Sequence, residues 1–132
     1  MIIDIEEHQG AWFDLKDGGR VQLRLLSATD WREIKKKTES KGLPEYPKLD
    51  GEYKRFQPVI VDDDLQMELM WDKTIINWEK LFDKNNKPIP CTMEWKTKLM
   101  LMTDGVFREF YSDKIKGMTE AENKKKESEL KN

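Results

Sequence analysis

The sequence predicts an α+β fold, mainly helical, in which an N-terminal β-hairpin, or a three-stranded antiparallel sheet, packs on a bundle of three to four helices. Three observations lead to this prediction. Residues 12–25 alternate apolar and polar side chains around a glycine turn. Residues 62–90 contain a long apolar segment that ends in turn residues and prolines, and a second helical pattern follows Thr92. The 132 residues suit one domain with one modest core.

The hairpin prediction comes from two short alternating segments, 12–15 and 21–25, which the turn Lys16–Arg20 joins. Its Asp-Gly-Gly core tolerates positive φ. The apolar side chains that would share one face are Phe13, Leu15, Val21, Leu23 and Leu25. Two strands alone are marginal in water, so we expect this face to lie against helices. Residues 1–10 begin with Ile2, Ile3 and Ile5, which could add an edge strand or fray.

Residues 64–82 are the most apolar segment, and we predict that they form one central helix. Asp62, Asp63 and Asp64 place carboxylates at its N-terminus, and residues 83–90 close it with turn residues and two prolines. At about 100° per residue, one apolar stripe contains Trp71, Ile75, Trp78 and Phe82, widened by Met67, Met70 and Leu81, and the other contains Leu65, Leu69 and Ile76. A helix with two apolar stripes must be covered on two sides.

Two further helices are predicted around it. Ser27 or Thr29 can cap a short helix from Asp30 to about Ser40, and Thr92 can cap a helix that either runs to Phe110 or is split by Gly105. The short helix carries Lys35, Lys36 and Lys37, which could attract a phosphate or an acidic partner, although a charge run on a helix is usually a solvated face.

Residues 41–58 contain too many glycines and prolines for regular structure, so we expect a long loop. Its aromatic residues, Tyr46, Tyr53 and Phe56, would either fold onto the core or contact a partner. Residues 57–61 are rich in β-branched side chains and could pair with the hairpin as a short strand.

The globular domain is expected to span residues 1–116, and residues 117–132 to form a charged C-terminal tail. This tail carries Lys124, Lys125 and Lys126 among several glutamates, and few apolar side chains. Such a segment could be a solvated helix but has little to bury, so we expect it to be mobile or to become ordered on a partner.

Candidate catalytic and metal-binding residues are few. His8 is the single histidine, Cys91 the single cysteine, and helix capping already accounts for the aspartates at 62–64. Residues 83–88 resemble the start of a calcium loop but lack its glycine and its closing glutamate. The sequence therefore predicts no enzyme, no cofactor and no metal site, and an enzyme using Cys91 is the poorest of three functional classes.

The composition and charge of the chain argue against several classes of partner and location. The formal net charge of -2 and a pI near 5.6 argue against a nucleic-acid binder. The sequence has no apolar run of membrane-spanning length and no basic n-region, which argues against a membrane span or a signal peptide, and one cysteine fits a reducing compartment. We expect a cytoplasmic protein.

Several strings between residues 12 and 110 resemble small proteins of tailed bacteriophages and prophages, in particular the tail assembly chaperone group. They are Trp12-Phe13-Asp14-Leu15, Gly18-Gly19-Arg20-Val21, Asp64-Leu65-Gln66 with Glu68-Leu69 and Trp71-Asp72, Ile75-Ile76-Asn77-Trp78, Lys87-Pro88-Ile89-Pro90-Cys91-Thr92 and Glu94-Trp95-Lys96. The combination is more specific than any single string.

The resemblance implies a non-enzymatic factor in the bacterial host cytoplasm that keeps the long, aggregation-prone tape measure protein soluble, assists assembly of the tail tube protein, and can self-associate. The alternative is a structural phage component, a minor tail or head-tail joining protein, that stays in the virion. The residues we expect to bind a partner are Met67, Trp71 and Trp78 on the central helix and Tyr46, Tyr53 and Phe56 in the long loop.

Overall fold

A computed structural model describes the backbone of residues 10–131 and the side chains of residues 10–128. In chain order its elements are β1 (Ala11–Asp14), β2 (Arg20–Leu23), α1 (Ala28–Thr38), β3 (Glu39–Lys41), β4 (Lys48–Leu49), β5 (Glu52–Tyr53), β6 (Val59–Val61), α2 (Asp63–Thr74), β7 (Ile75–Glu79), α3 (Met93–Met100) and α4 (Val106–Lys131). The fold is α+β with a three-stranded antiparallel sheet, as predicted. The possible edge strand at Ile2, Ile3 and Ile5, and His8, lie outside the described residues.

The N-terminal hairpin is confirmed. β1 pairs antiparallel with β2, with Phe13 opposite Val21, and the turn between them is closed by a hydrogen bond of 2.7 Å from the Leu15 N–H to the Gly19 carbonyl. Gly18 in this turn has a φ of 96°, which explains why the turn needs glycine. Val21 and Leu23 are fully buried, so the predicted face does contribute to the core.

The prediction of one helix over residues 64–82 is wrong for its second half. α2 ends at Thr74, and β7 pairs antiparallel with β2 as the third strand of the sheet. Thr74, Ile75 and Ile76 are consecutive β-branched residues, which favour a strand.

A register shift in this strand explains why its sequence resembles a helix. Ile75 pairs with Leu23 whereas Asn77 pairs with Gln22, so β7 carries one extra residue at this point. The two buried residues, Ile75 and Trp78, are therefore three positions apart, a spacing that also fits one face of a helix.

The segment between α1 and α2 differs from the prediction in two ways. Val59–Val61 is a strand, but it pairs with Glu39–Lys41 and not with the N-terminal hairpin. Residues 41–58 are not an irregular loop, because they continue this pairing into a second small ladder between β4 and β5. We call residues 39–61 the arm.

Helix termini follow the sequence closely. Ser27 caps α1, accepting from the Asp30 N–H, while Asp30 accepts from the Ser27 N–H in a reciprocal capping box. Thr92 caps α3, and Gly105, with a φ of 66°, separates α3 from α4. α4 then continues to Lys131, so the charged tail is helical; its mobility stays a prediction.

The core lies where the sheet, the end of α2 and the start of α4 meet. Its buried side chains are Val21, Leu23, Trp71, Ile75, Trp78, Met100, Phe107 and Tyr111. The Trp78 indole N–H donates to the Ile89 carbonyl at 2.7 Å, and its ring lies edge-on to Phe107 with centroids 6.4 Å apart. None of the described helices is both long and apolar enough to cross a bilayer.

Candidate functional site

The arm is fixed to the body at its base. The Asp62 N–H donates to the Thr38 carbonyl at 2.9 Å, and the buried Thr38 hydroxyl donates to the Ile34 carbonyl at 2.8 Å and contacts the Gln66 amide at 3.4 Å. These bonds join the end of α1 to the start of α2 on the two sides of the arm. Its starting direction is therefore set by both helices.

The outer part of the arm is a regular ribbon. Glu45 and Phe56 exchange two backbone hydrogen bonds of 2.6 Å, and β4 and β5 pair beyond them. Asp50 and Gly51 at the tip have φ values of 53° and 82°, the positive values that a two-residue type I′ hairpin turn requires. The Asp50-Gly51 dipeptide was a sequence signal for this hairpin, and the sequence interpretation missed it.

The arm exposes most of its large apolar side chains. Between 51% and 86% of the surface of each is accessible for Leu43, Tyr46, Leu49, Tyr53, Phe56, Val59 and Ile60. Apolar surface this extensive on one projecting element is typical of a site that another protein covers. The arm is therefore the candidate functional site.

Half of the predicted partner-binding residues lie on the arm and half do not. Tyr46, Tyr53 and Phe56 lie on the arm and are exposed. Trp71 and Trp78 are only 3% and 6% exposed, and Met67 packs against the core. Trp71 and Trp78 therefore belong to the interior that α2 and β7 build, and partner binding by Met67 stays a prediction.

Pairing register divides the arm's outer side chains between two faces. Paired residues share a face and neighbours along a strand alternate, so Tyr46, Lys48, Tyr53 and Arg55 share one face, which we call the basic face. The Lys48 ammonium lies 6.0 Å from the centre of the Tyr53 ring, in agreement with this assignment. The opposite face, which we call the apolar face, carries Leu49 and Phe56 together with Glu45, Glu52 and Lys54.

The candidate reactive and metal-binding side chains elsewhere in the described chain have structural roles. The half-buried Cys91 has its thiol pKa raised by burial, the opposite of what activates a thiolate. The Asp83 carboxylate accepts from the N–H groups of Asn85 and Lys87 at 2.8 and 3.0 Å, which confirms the predicted surface turn. Among the described residues, no group of three or more His, Cys, Asp or Glu side chains is placed to hold a metal ion.

A second concave feature lies between α4 and the segment before α1. This open groove of about 860 Å³ is lined by Leu25, Trp31, Met70, Ile115 and Met118 among others, and the Thr74 and Tyr111 hydroxyls, 2.8 Å apart, hydrogen-bond to each other beside it. No described buried side-chain nitrogen or oxygen lacks a hydrogen-bond partner.

A scan against protein-family models, a search of curated proteins and a search of solved structures each found no significant match to this chain.

Proposed function

We propose that this chain is a non-enzymatic protein-binding factor and, following the resemblance of residues 12–110, a phage tail assembly chaperone that binds the tape measure protein in the host cytoplasm. The observation that carries the proposal is the arm, on which seven large apolar side chains are more than half exposed. In water this surface favours a partner that covers it.

The arm suits a holding role for a physical reason. Its base is bonded to α1 and α2 through Thr38, so its apolar side chains are presented without first having to be ordered. Binding then loses less conformational entropy than it would with an unstructured loop. While bound to the arm, a long helical partner with apolar stretches would be kept from aggregating with other copies of itself.

The corrected roles of the tryptophans sharpen the proposal. Trp71 and Trp78 are buried, so they support the scaffold, and the partner contact is assigned to Tyr46, Tyr53 and Phe56 on the arm. Self-association remains compatible with this assignment, since a second copy could cover the same residues.

Co-expression with the tape measure protein of the same genome tests the proposal. Leu49→Ser combined with Phe56→Ser removes apolar surface from the arm, and we expect it to lower the yield of soluble tape measure protein about fivefold or more, as loss of buried contacts at an interface does. The matched control is Leu101→Ser with Val106→Ser, because these side chains are 56% and 67% exposed but lie off the arm. Circular dichroism verifies that both variants fold.

The outcomes separate the functional classes. A soluble complex that is absent from purified virions supports the chaperone, whereas the chain in purified virions supports the structural component. Equal yields from the arm variant and the control variant would contradict the proposal that the arm binds this partner.

A further inference from the structure

The basic face of the arm differs in charge from the rest of the molecule. The chain as a whole has a formal net charge of -2. At its outer end this face carries two cations, Lys48 and Arg55, and no carboxylate. The apolar face carries Glu45 and Glu52 against Lys54.

The polar groups at the outer end of the basic face are hydrogen-bond donors. The Lys48 ammonium and the Arg55 guanidinium have no acceptor atoms, and the phenols of Tyr46 and Tyr53 can each donate. Both tyrosines are exposed, at 60% and 74%, and no ion pair within 4.0 Å joins Lys48 or Arg55 to a carboxylate in the part of the chain that the structure describes. The face thus presents donors and positive charge that no described carboxylate neutralises at this distance.

We propose that the basic face recognises an acidic segment of the partner polypeptide, with Arg55 and Lys48 binding its carboxylates and Tyr46 and Tyr53 packing beside them. This inference rests on the proposed function, and it specifies the chemistry of the bound segment. Arg binds a carboxylate through two parallel hydrogen bonds, and Tyr supplies apolar area and a donor with little loss of rotamer entropy.

An acidic polypeptide fits this face better than a nucleic acid does. Nucleic-acid binding neutralises many phosphates and needs an extended basic surface. Here the basic face is one ribbon wide, the tip carries Asp50, and Glu45 and Glu52 lie on the reverse side of the same ribbon, where they would repel a polyphosphate that wraps around it.

Charge reversal on one face tests the inference. With the purified full chain and the co-expressed tape measure protein, we expect Lys48→Glu combined with Arg55→Glu to raise the dissociation constant about tenfold or more. Lys84→Glu combined with Lys87→Glu, the same charge change on an exposed turn off the arm, should raise it less than about threefold. Raising NaCl from about 50 to about 300 mM should weaken the wild-type complex more than the reversed one. Tyr46→Phe with Tyr53→Phe removes only the hydroxyls and should cause a smaller loss.

Each of the other outcomes contradicts either the proposed function or the inference about the basic face. No complex with the wild-type chain would overturn the proposed function and this inference with it. A complex weakened equally by both kinds of reversal, or by neither, would overturn the inference alone. Binding of single-stranded oligo(dT) that the double reversal abolishes, with the protein complex unchanged, would assign the basic face to a nucleic acid instead.

Discussion

Asp30 joins three parts of the chain through one carboxylate. It accepts from the Arg24 guanidinium at 2.7 and 3.2 Å and from the Ser27 N–H at 2.9 Å, and the Lys73 ammonium of α2 lies 3.8 Å away. The hydrogen bond from Arg24 holds the pKa of the Asp30 carboxyl well below its usual range. The end of β2, the start of α1 and the end of α2 are therefore fixed relative to one another by this residue.

Replacing Asp30 with Asn should lower the free energy of unfolding by about 2 kcal/mol at pH 7, because a charged partner is lost while Arg24 stays half-buried. A carboxyl whose folded pKa is depressed contributes stability above its unfolded pKa, usually 3.8, and loses that contribution as the pH falls through the folded pKa. The difference between wild type and Asp30→Asn should thus be complete above about pH 5 and shrink below pH 4. Urea unfolding across this pH range measures it.

The exposed Asp113 provides a control for this experiment. Asp113→Asn should leave stability within about 0.5 kcal/mol, as surface substitutions usually do. A wild-type advantage over Asp30→Asn that grows as the pH drops from 5 to 3 would contradict the role assigned to the carboxylate.

At the scale of elements, β7 has the largest difference between expectation and structure. Its bulge places Ile75 and Trp78 in the core and leaves Ile76 37% exposed. The helical prediction instead placed Ile76 in a second buried stripe. Two neighbouring isoleucines therefore distinguish the strand from the helix.

Ile75→Ala should cost about 3 kcal/mol of unfolding free energy, since Ile75 is fully buried and its loss leaves a cavity. Ile76→Ala, the same chemical change one residue later, should cost less than about 1 kcal/mol because water already reaches that side chain. Urea denaturation of the two variants gives both values. Similar costs would indicate that both isoleucines are covered, as in the helix.

The strands of the arm were not predicted from the sequence pattern because of their prolines. Pro44, Pro47 and Pro58 suggested an irregular loop. Pro47 is nevertheless compatible with strand pairing, because only its carbonyl takes part and accepts from the Lys54 N–H at 3.1 Å. Prolines on an exposed two-stranded ribbon also discourage pairing with further strands. The arm is therefore more suited to contacts through its side chains than to adding a strand.

At the scale of the whole molecule, the C-terminal boundary of the domain depends on how far along α4 the side chains still pack against the core. Ile115 and Met118 pack against the core, whereas the side chains from Asn123 to Ser128 are exposed. The predicted division into a domain over residues 1–116 and a tail over 117–132 falls inside this helix.

A chain that ends after Glu122 should keep its melting temperature within about 3 °C of the full chain, because it loses little buried apolar surface. A chain that ends after Phe110 removes the buried Tyr111 together with Ile115 and Met118, and it should lose cooperative unfolding. Thermal unfolding followed by circular dichroism compares the three chains. A drop of about 10 °C on removing residues 123–132 alone would show that the tail belongs to the domain.

Three aromatic residues of the candidate site were named from the sequence, whereas its other residues and its shape were not. Tyr46, Tyr53 and Phe56 were identified because aromatic side chains in a polar, proline-rich segment need either a core or a partner. That Leu49 shares a face with Phe56, and Arg55 with Tyr46, depends on the pairing of β4 with β5, which the sequence interpretation did not include.

By itself the sequence determined local features: the hairpin turn at residues 16–20 and the cap at Thr92. It also limited the cap of α1 to Ser27 or Thr29 and identified Gly105 as the candidate break, and the structure selected Ser27 and the break. These depend on hydrogen bonds and backbone conformations within a few residues of each other. Only the tertiary structure decided that residues 75–79 form a strand and that Trp71 and Trp78 lie inside. The free energy for that choice comes from β2, far away in the sequence, whose Val21 and Leu23 pair with β7 and bury it, and a period of three residues cannot by itself distinguish a bulged strand from a helix.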